Sequence, residues 1–280
     1  MGLFLSCDQM WDMPIADAKS RGLADDAPAE ERRHIPHLVG NILYGVIGVA
    51  FKIAFRYSVQ NIESLRRFTA GRGCVLVANH TSYLDPVFFY LAARPSQWVR
   101  FMGRDSLFEH CGRLLGQLLS RVGAFPVKRD SADRKAIKRA STMLKNGEIV
   151  VVYPEGTRRG RGTAVSSLHS GAAFIARMGS VPMLPATVRG VDRIKEKGHC
   201  IRFPKVEVQF GEPVYLEAFD CFPKSERLDI ATWYVLRESY AMFYEIPIEE
   251  VDMAGLFPES PDYSDLLDGF DAAVYRKGLE

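Results

Sequence analysis

Paired cysteines are missing from this chain. The five thiols, Cys7, Cys74, Cys111, Cys200 and Cys221, form no Cys-x-x-Cys unit and have no histidines at the spacing of a zinc site. An odd count also argues against a complete disulfide framework, so reduced thiols in a cytosol-facing protein are expected. A Gly-x-Ser-x-Gly elbow and a His-Glu-x-x-His helix are both absent, which removes two common hydrolase signatures. No period of roughly 20 to 50 residues recurs, so a repeat array is excluded. Strong net charge is lacking too: 36 Lys and Arg against 34 Asp and Glu leave a formal +2. That is a small basic excess for a nucleic-acid reader, and no nucleic-acid partner is expected. Met1 to Trp11 has no basic leader and is interrupted by Asp8, so no secretory signal is expected. The longest apolar run, Leu38 to Phe51, would cover about 21 Å as a helix against a hydrocarbon core of ~30 Å, too little to cross a bilayer alone.

What is present suits one large α/β domain with short extensions: 280 residues, 47% of them hydrophobic. Asp17 to Arg33 is rich in Ala and charge without strong periodicity, and residues 1–33 read as a mobile or weakly helical leader. In residues 34–60 the apolar run contains Gly40, Gly45 and Gly48, and Lys52, Arg56 and Gln60 then recur every four residues opposite Ile53, Phe55 and Val59. Arg32 and Arg33 precede it. The pattern describes a membrane-interfacial helical segment with its cations at the headgroups, the alternative being a buried core helix. The middle of the chain, from Arg100 to Arg177, is rich in Arg and Lys, which suits an anionic ligand or lipid surface. Residues 221–280 read as a helix followed by an acidic tail, where Phe257 and Phe270 suggest docking on the body.

From Gly73 onward strand and helix patterns alternate. Strands are expected at Cys74 to Asn79, Trp98 to Met102, Ala124 to Val127, Ile149 to Tyr153, Met183 to Val188 and Val206 to Phe210. Helices are expected at Arg134 to Lys145, which stops at Asn146-Gly147, at Gly171 to Met178 and at Leu228 to Tyr244. Alternation of this kind implies a mainly parallel sheet flanked by helices over residues 61–220, with chemistry gathered beyond the carboxyl ends of strands.

His80 and Asp85 stand at one such end, in Val75-Leu-Val-Ala-Asn-His-Thr-Ser-Tyr-Leu-Asp-Pro86. A carboxylate bonded to one imidazole nitrogen fixes the tautomer and leaves the other free to take a proton from a hydroxyl. The bland readings are a satisfied structural histidine, and an Asp85 that caps a helix with Pro86 in its first turn. Three more blocks follow: Gly123-Ala-Phe-Pro-Val-Lys-Arg129, Tyr153-Pro-Glu-Gly-Thr-Arg158 and Val181-Pro-Met-Leu-Pro185. The four blocks, in this order, resemble the glycerophospholipid acyltransferase family, whose pattern is His-x4-Asp, Gly-x-x-Phe/Ile-x-x-Arg, Phe/Tyr-Pro-Glu-Gly-Thr-Arg and Val-Pro-x-x-Pro. The likeness covers roughly Asn61 to Val214. Pro126 replaces the usual Phe or Ile, so the strand near Phe125 is expected to bend or stop early.

The resemblance implies a glycerol-3-phosphate acyltransferase-like fold and an acyl thioester as donor, either acyl-CoA or acyl carrier protein. The implied acceptor is a lysophospholipid, lysophosphatidic acid before lyso-ornithine lipid or another lysolipid. It implies His80 and Asp85 as the catalytic pair, and Arg129, Glu155, Gly156, Thr157 and Arg158 as the glycerol-phosphate site. Asn79, Ser82, Gly123, Pro154 and Pro185 are supporting positions, with no metal and no cofactor. Peripheral or monotopic attachment to the cytoplasmic face of the cell membrane follows from the same likeness. Two other classes stay open: a thioester hydrolase, and a non-catalytic binding module built on Lys128, Arg129, Arg134, Lys135, Lys138 and Arg139.

Overall fold

The apolar runs that end at the motif residues pair with one another side by side. The structure, a computed structural model, describes residues 5–15, 22–68, 72–94, 96–109, 114–128, 133–159, 168–195 and 200–272. Seven strands form one sheet: β1 (Ser58–Gln60), β2 (Cys74–Ala78), β3 (Val99–Arg104), β4 (Ala124–Val127), β5 (Ile149–Val152), β6 (Met183–Arg189) and β7 (Glu207–Phe210), in the order β1-β7-β6-β2-β5-β3-β4. All neighbours are parallel except β6 and β7. Successive side chains point to opposite faces, and both faces are covered. Val75, Val77, Val150, Val152 and Met183 pack with helices Arg134–Lys145, Gly171–Gly179 and Arg227–Tyr244. Leu76, Ala78, Ile149, Val151 and Leu184 pack with helix Asp85–Ala93 on the other face. Each such fully buried aliphatic contributes roughly 1.5–3 kcal/mol.

The strand at Phe125 neither bends away nor stops early. It continues through Pro126 to Val127, because β4 lies at the edge of the sheet and only one side of it needs a ladder donor. Helix Arg134–Lys145 keeps its expected bounds. Asp133 accepts from the Ala136 N–H at its start, and Gly147, at φ +81°, turns the chain at its end.

The apolar segment is helical from His37 to Ala54, with a π-helical turn at Tyr44–Gly48. These 18 residues reach the length and composition that could cross a membrane; at 1.5 Å per residue they measure about 27 Å. One side is fastened to the body. A Cβ at Gly40 would fall 2.4 Å from the Trp98 ring, Tyr90 Oη donates to the Gly40 carbonyl, and Phe51 packs on Phe88. Leu38, Ile42, Val46, Val49 and Ile53 line the other side, each more than half exposed. Residues 51–55 lie by Phe88, near the start of the Asp85–Ala93 helix, and Gly40 lies by Trp98 beyond its end, so the two helices run antiparallel.

Two expectations need correction. The helical stripe does not continue to Gln60: Arg56 turns left-handed at φ +43° and Ser58–Gln60 joins the sheet as β1, parallel to β7. Edge pairing overrides a weak helical period there, and the sheet therefore begins three residues before position 61. Nor does the leader hang free over residues 5–15. Met10 and Ile15 are fully buried, Trp11 Nε1 donates to Ser120 Oγ at 2.9 Å, and Arg139 grips the Asp12 carboxylate. The acidic tail docks as well, with Val251, Met253, Phe257 and Tyr263 buried against the Arg227–Tyr244 helix and its neighbours.

Candidate active site

β2 ends at Ala78, and the chain then curls through His80 to Leu84 before the helix starts at Asp85. The Asp85 carboxylate organises that curl. It accepts from the backbone N–H groups of Thr81 and Ser82, both at 2.8 Å, and from Thr81 Oγ1 at 3.3 Å. Its Oδ2 also lies 2.9 Å from His80 Nδ1. Asp85 thus begins a helix with proline in its first turn while turning its side chain back to the histidine, so the bland and the catalytic readings describe one arrangement. Nδ1 is the ring atom engaged, which leaves Nε2 on the far side. The ring stacks on Tyr153, centroids 4.0 Å apart, and keeps 14% side-chain exposure. A base held on one edge and one face, with a small part of the ring still exposed, can accept a proton from a docked hydroxyl.

β5 delivers the next loop to the same pole. Arg159 N–H donates to the His80 carbonyl at 2.8 Å, and Gly156 N–H to the Tyr153 carbonyl. Gly156 sits at φ +63°, where any other residue would be strained. Gly156 and Thr157 are exposed, and Pro154 is buried beneath them. The Arg158 guanidinium carbon lies 3.3 Å from the centre of the Tyr83 ring, on the histidine's own loop. These residues share one pole of the sheet. Arg129 lies outside the described residues. The carboxyl end of β4, which leads to it, is at this pole but three strand positions from β2, or about 14 Å at ~4.8 Å per strand.

Glu155 is placed differently from the glycerol-phosphate role implied by the motif. Its side chain is fully enclosed. Oε1 accepts from the His80 backbone N–H at 2.9 Å and from Tyr240 Oη at 2.8 Å, and Arg159 Nε lies 3.7 Å from Oε2. Burial pushes its carboxyl pKa up, against the opposing pull of those two hydrogen bonds and of Arg159. A carboxylate so enclosed braces the histidine's backbone and does not reach an acceptor. Arg159 also turns inward, over the Phe257 and Tyr240 rings and onto the Leu256 carbonyl. The tail is thereby tied to the site.

The supporting positions divide. Ser82 belongs to the His80 loop, where its Oγ accepts from Leu84 N–H. Asn79 is buried and accepts from Thr187 Oγ1 at 2.7 Å. Pro185 lies within β6, level with Val77 and below the histidine. Its carbonyl accepts from Gly211 just past the end of β7, where a ladder donor is no longer needed. Gly123 is not at the site. It precedes β4 at the opposite pole, at φ +99°, against Ile15 and the Val99 carbonyl. Tyr153, though part of a motif, gave no sign of stacking on His80, and Tyr240 and Thr187 gave none of their contacts, because tyrosine and threonine at those spacings fit any packed helix or strand.

A sequence profile of the family described as Acyltransferase matches residues 56–189. The 1-acyl-sn-glycerol-3-phosphate acyltransferase of Bacillus subtilis (strain 168) is 32% identical over 174 residues, 62% of this chain and 81% of that protein. The chain belongs to the PlsC-type glycerophospholipid acyltransferase family. The enzyme of the same name from Streptococcus pneumoniae (strain ATCC BAA-255 / R6) is also 32% identical, over 50% of this chain and 49% of its own length. The crystal structure of the 1-acyl-sn-glycerophosphate (LPA) acyltransferase, PlsC, from Thermotoga maritima shares the fold. It aligns with a TM-score of 0.51 and 24% identity over 72% of this chain and 80% of that one. This acyltransferase is therefore an enzyme whose sheet and flanking helices follow the PlsC pattern.

Proposed function

We propose that this acyltransferase moves a fatty acyl group from a thioester, on coenzyme A or acyl carrier protein, to the free hydroxyl of lysophosphatidic acid, giving phosphatidic acid. The observation that carries the reading is the His80 ring, bonded through Nδ1 to buried Asp85 and standing on the loop whose Tyr83 ring lies under Arg158 of the loop after β5. Asp85 accepts a hydrogen bond from Nδ1–H, which stays protonated throughout, and keeps the Nε2 lone pair toward the acceptor. Nε2 takes the hydroxyl proton as the oxygen bonds to the thioester carbonyl carbon. Collapse of the tetrahedral adduct breaks the carbon–sulfur bond, and the imidazolium returns its proton to the leaving thiolate. No acyl-enzyme is required, since the thioester is already activated.

Arg158 supplies a fixed fork for the acceptor's phosphate, with the Thr157 hydroxyl and the Gly156 backbone beside it. Glu155 and Tyr240 hold the His80 backbone from behind and touch no substrate. The one-sided apolar helix His37–Ala54 supports peripheral or monotopic residence on a lipid surface, on the cytoplasmic side if the thiols are kept reduced. The names of the Bacillus and Streptococcus relatives, both 1-acyl-sn-glycerol-3-phosphate acyltransferase, support the acceptor.

The test incubates purified protein in detergent with labelled acyl-CoA or acyl carrier protein and a panel of lysolipids, and identifies the product by mass. Phosphatidic acid is the expected product. Free fatty acid without acylated lipid would make the enzyme a hydrolase, and acylation of lyso-ornithine lipid alone would move the acceptor.

A further inference from the structure

The hairpin that joins β6 to β7 rises from the catalytic pole. Ala78 of β2 pairs with Ala186 of β6, so Arg189, the last residue of β6, stands one position beyond the level of His80. β7 returns antiparallel with Val208 opposite Val188, so residues 190–195 and 200–206, which flank the two strands, lie at that pole. Ile201 and Phe203 among them are 64% and 58% exposed. Residues 193–205 hold five Lys and Arg against one Glu. The Phe203 ring meets Phe55 at 5.3 Å, and Val206 N–H donates to the Phe55 carbonyl. Phe55 directly follows the apolar helix, whose nearest outward residue, Ile53, is 75% exposed. The hairpin's exposed apolar side chains thus stand next to the end of the apolar helix that lies beside the active site.

Large apolar side chains ringed by cations match the chemistry of an anionic bilayer surface: acyl chains below, phosphates above. We propose that Ile201 and Phe203 insert into such a bilayer while Arg193 and Lys195 meet its headgroups. The hairpin is then a second membrane contact, and it sets the rim of the active site on the surface from which a lipid acceptor is drawn. This deepens the lipid-acceptor reading and rests on it for that last step. A basic loop could equally attract an acidic carrier protein, but two exposed hydrophobes next to the end of an apolar helix favour lipid.

The experiment compares the full chain with the double variant Ile201→Ser/Phe203→Ser. It measures co-sedimentation with phosphatidylcholine vesicles that contain phosphatidylglycerol, and turnover of a long-chain vesicle-borne lysophosphatidate and of a short-chain soluble one. Partition should fall by about tenfold or more, and vesicle turnover with it, while soluble turnover and melting temperature hold. Unchanged partition would overturn the proposal, and so would an equal loss on the soluble acceptor. A loss confined to acyl carrier protein as donor, at unchanged partition, would make the hairpin a protein dock instead. Partition is read without catalysis, so a wild type that binds vesicles through the hairpin yet acylates no lysolipid would count against the function and not against the membrane contact.

Discussion

Two of the basic groups paired with buried carboxylates, His80 and Arg100, stand at opposite poles of one sheet. At the carboxyl end of β2, Asp85 is 1% exposed, and its Oδ2 meets His80 Nδ1 and accepts from the Thr81 and Ser82 N–H groups. Near the amino ends of β3 and β5, Arg100 and Glu148 are enclosed at 0% and 3% side-chain exposure. Arg100 also donates to the Met13 carbonyl, which holds the docked leader. Arg100 Nη1 and Glu148 Oε1 have no hydrogen-bond partner among the described residues. The first pair leaves a small part of its base exposed, and the second is closed on every side. Chemistry and architecture here differ less in residue type than in whether part of the base is left uncovered.

The comparison breaks first at His80. His80→Ala should lower kcat by roughly 10²- to 10⁴-fold while leaving the melting temperature near wild type, and a near-normal rate would remove the ring from the mechanism. Arg100→Met should do the reverse, costing about 3–5 kcal/mol of stability by stranding Glu148, with turnover per folded molecule unchanged. Denaturant titration reads the loss, and the double variant Arg100→Met/Glu148→Leu should recover most of it. If the single variant were as stable as wild type, the closed pair would not hold the leader.

Arg158→Ala should raise the acceptor KM by roughly ten- to a hundredfold, the worth of one charge-assisted hydrogen bond. A fall in kcat at constant KM would instead assign Arg158 to the oxyanion. The smallest effect concerns Glu155. Burial holds its proton in the native state above the ordinary carboxylate range, where the unfolded chain has released it. Both states are protonated below that range, so the penalty is absent there, and stability falls as pH rises through the raised pKa. Glu155→Gln keeps an oxygen for His80 N–H and Tyr240 and should flatten that fall, followed as melting temperature from about pH 4 to pH 8. An unaltered slope would show that Glu155 is not the group responsible.

Much of the fold was legible because strands buried on both faces read as continuous runs such as Val150-Val151-Val152, and helices such as Arg134–Lys145 carry their own start and stop residues. His80 and Asp85 were legible because their partnership is local, five residues apart on one turn. The errors fell where long-range contacts outweigh local pattern. Ser58–Gln60 becomes a strand because β7 offers an unpaired edge. The leader docks because Ser120 and Arg139, more than a hundred residues away, receive Trp11 and Asp12. Gly123, read as part of the site, belongs to a turn at the far pole.

The sequence by itself determined the family, the parallel α/β plan and the residue types that meet the substrate, since each is written in short motifs and in the period of apolar residues. Only the tertiary structure decided that Glu155 faces inward, that Arg158 rests on Tyr83 and that Tyr240 and the tail support His80. Burial and direction are properties of what surrounds a side chain, and those surroundings come from segments 75 to 177 residues away along the chain.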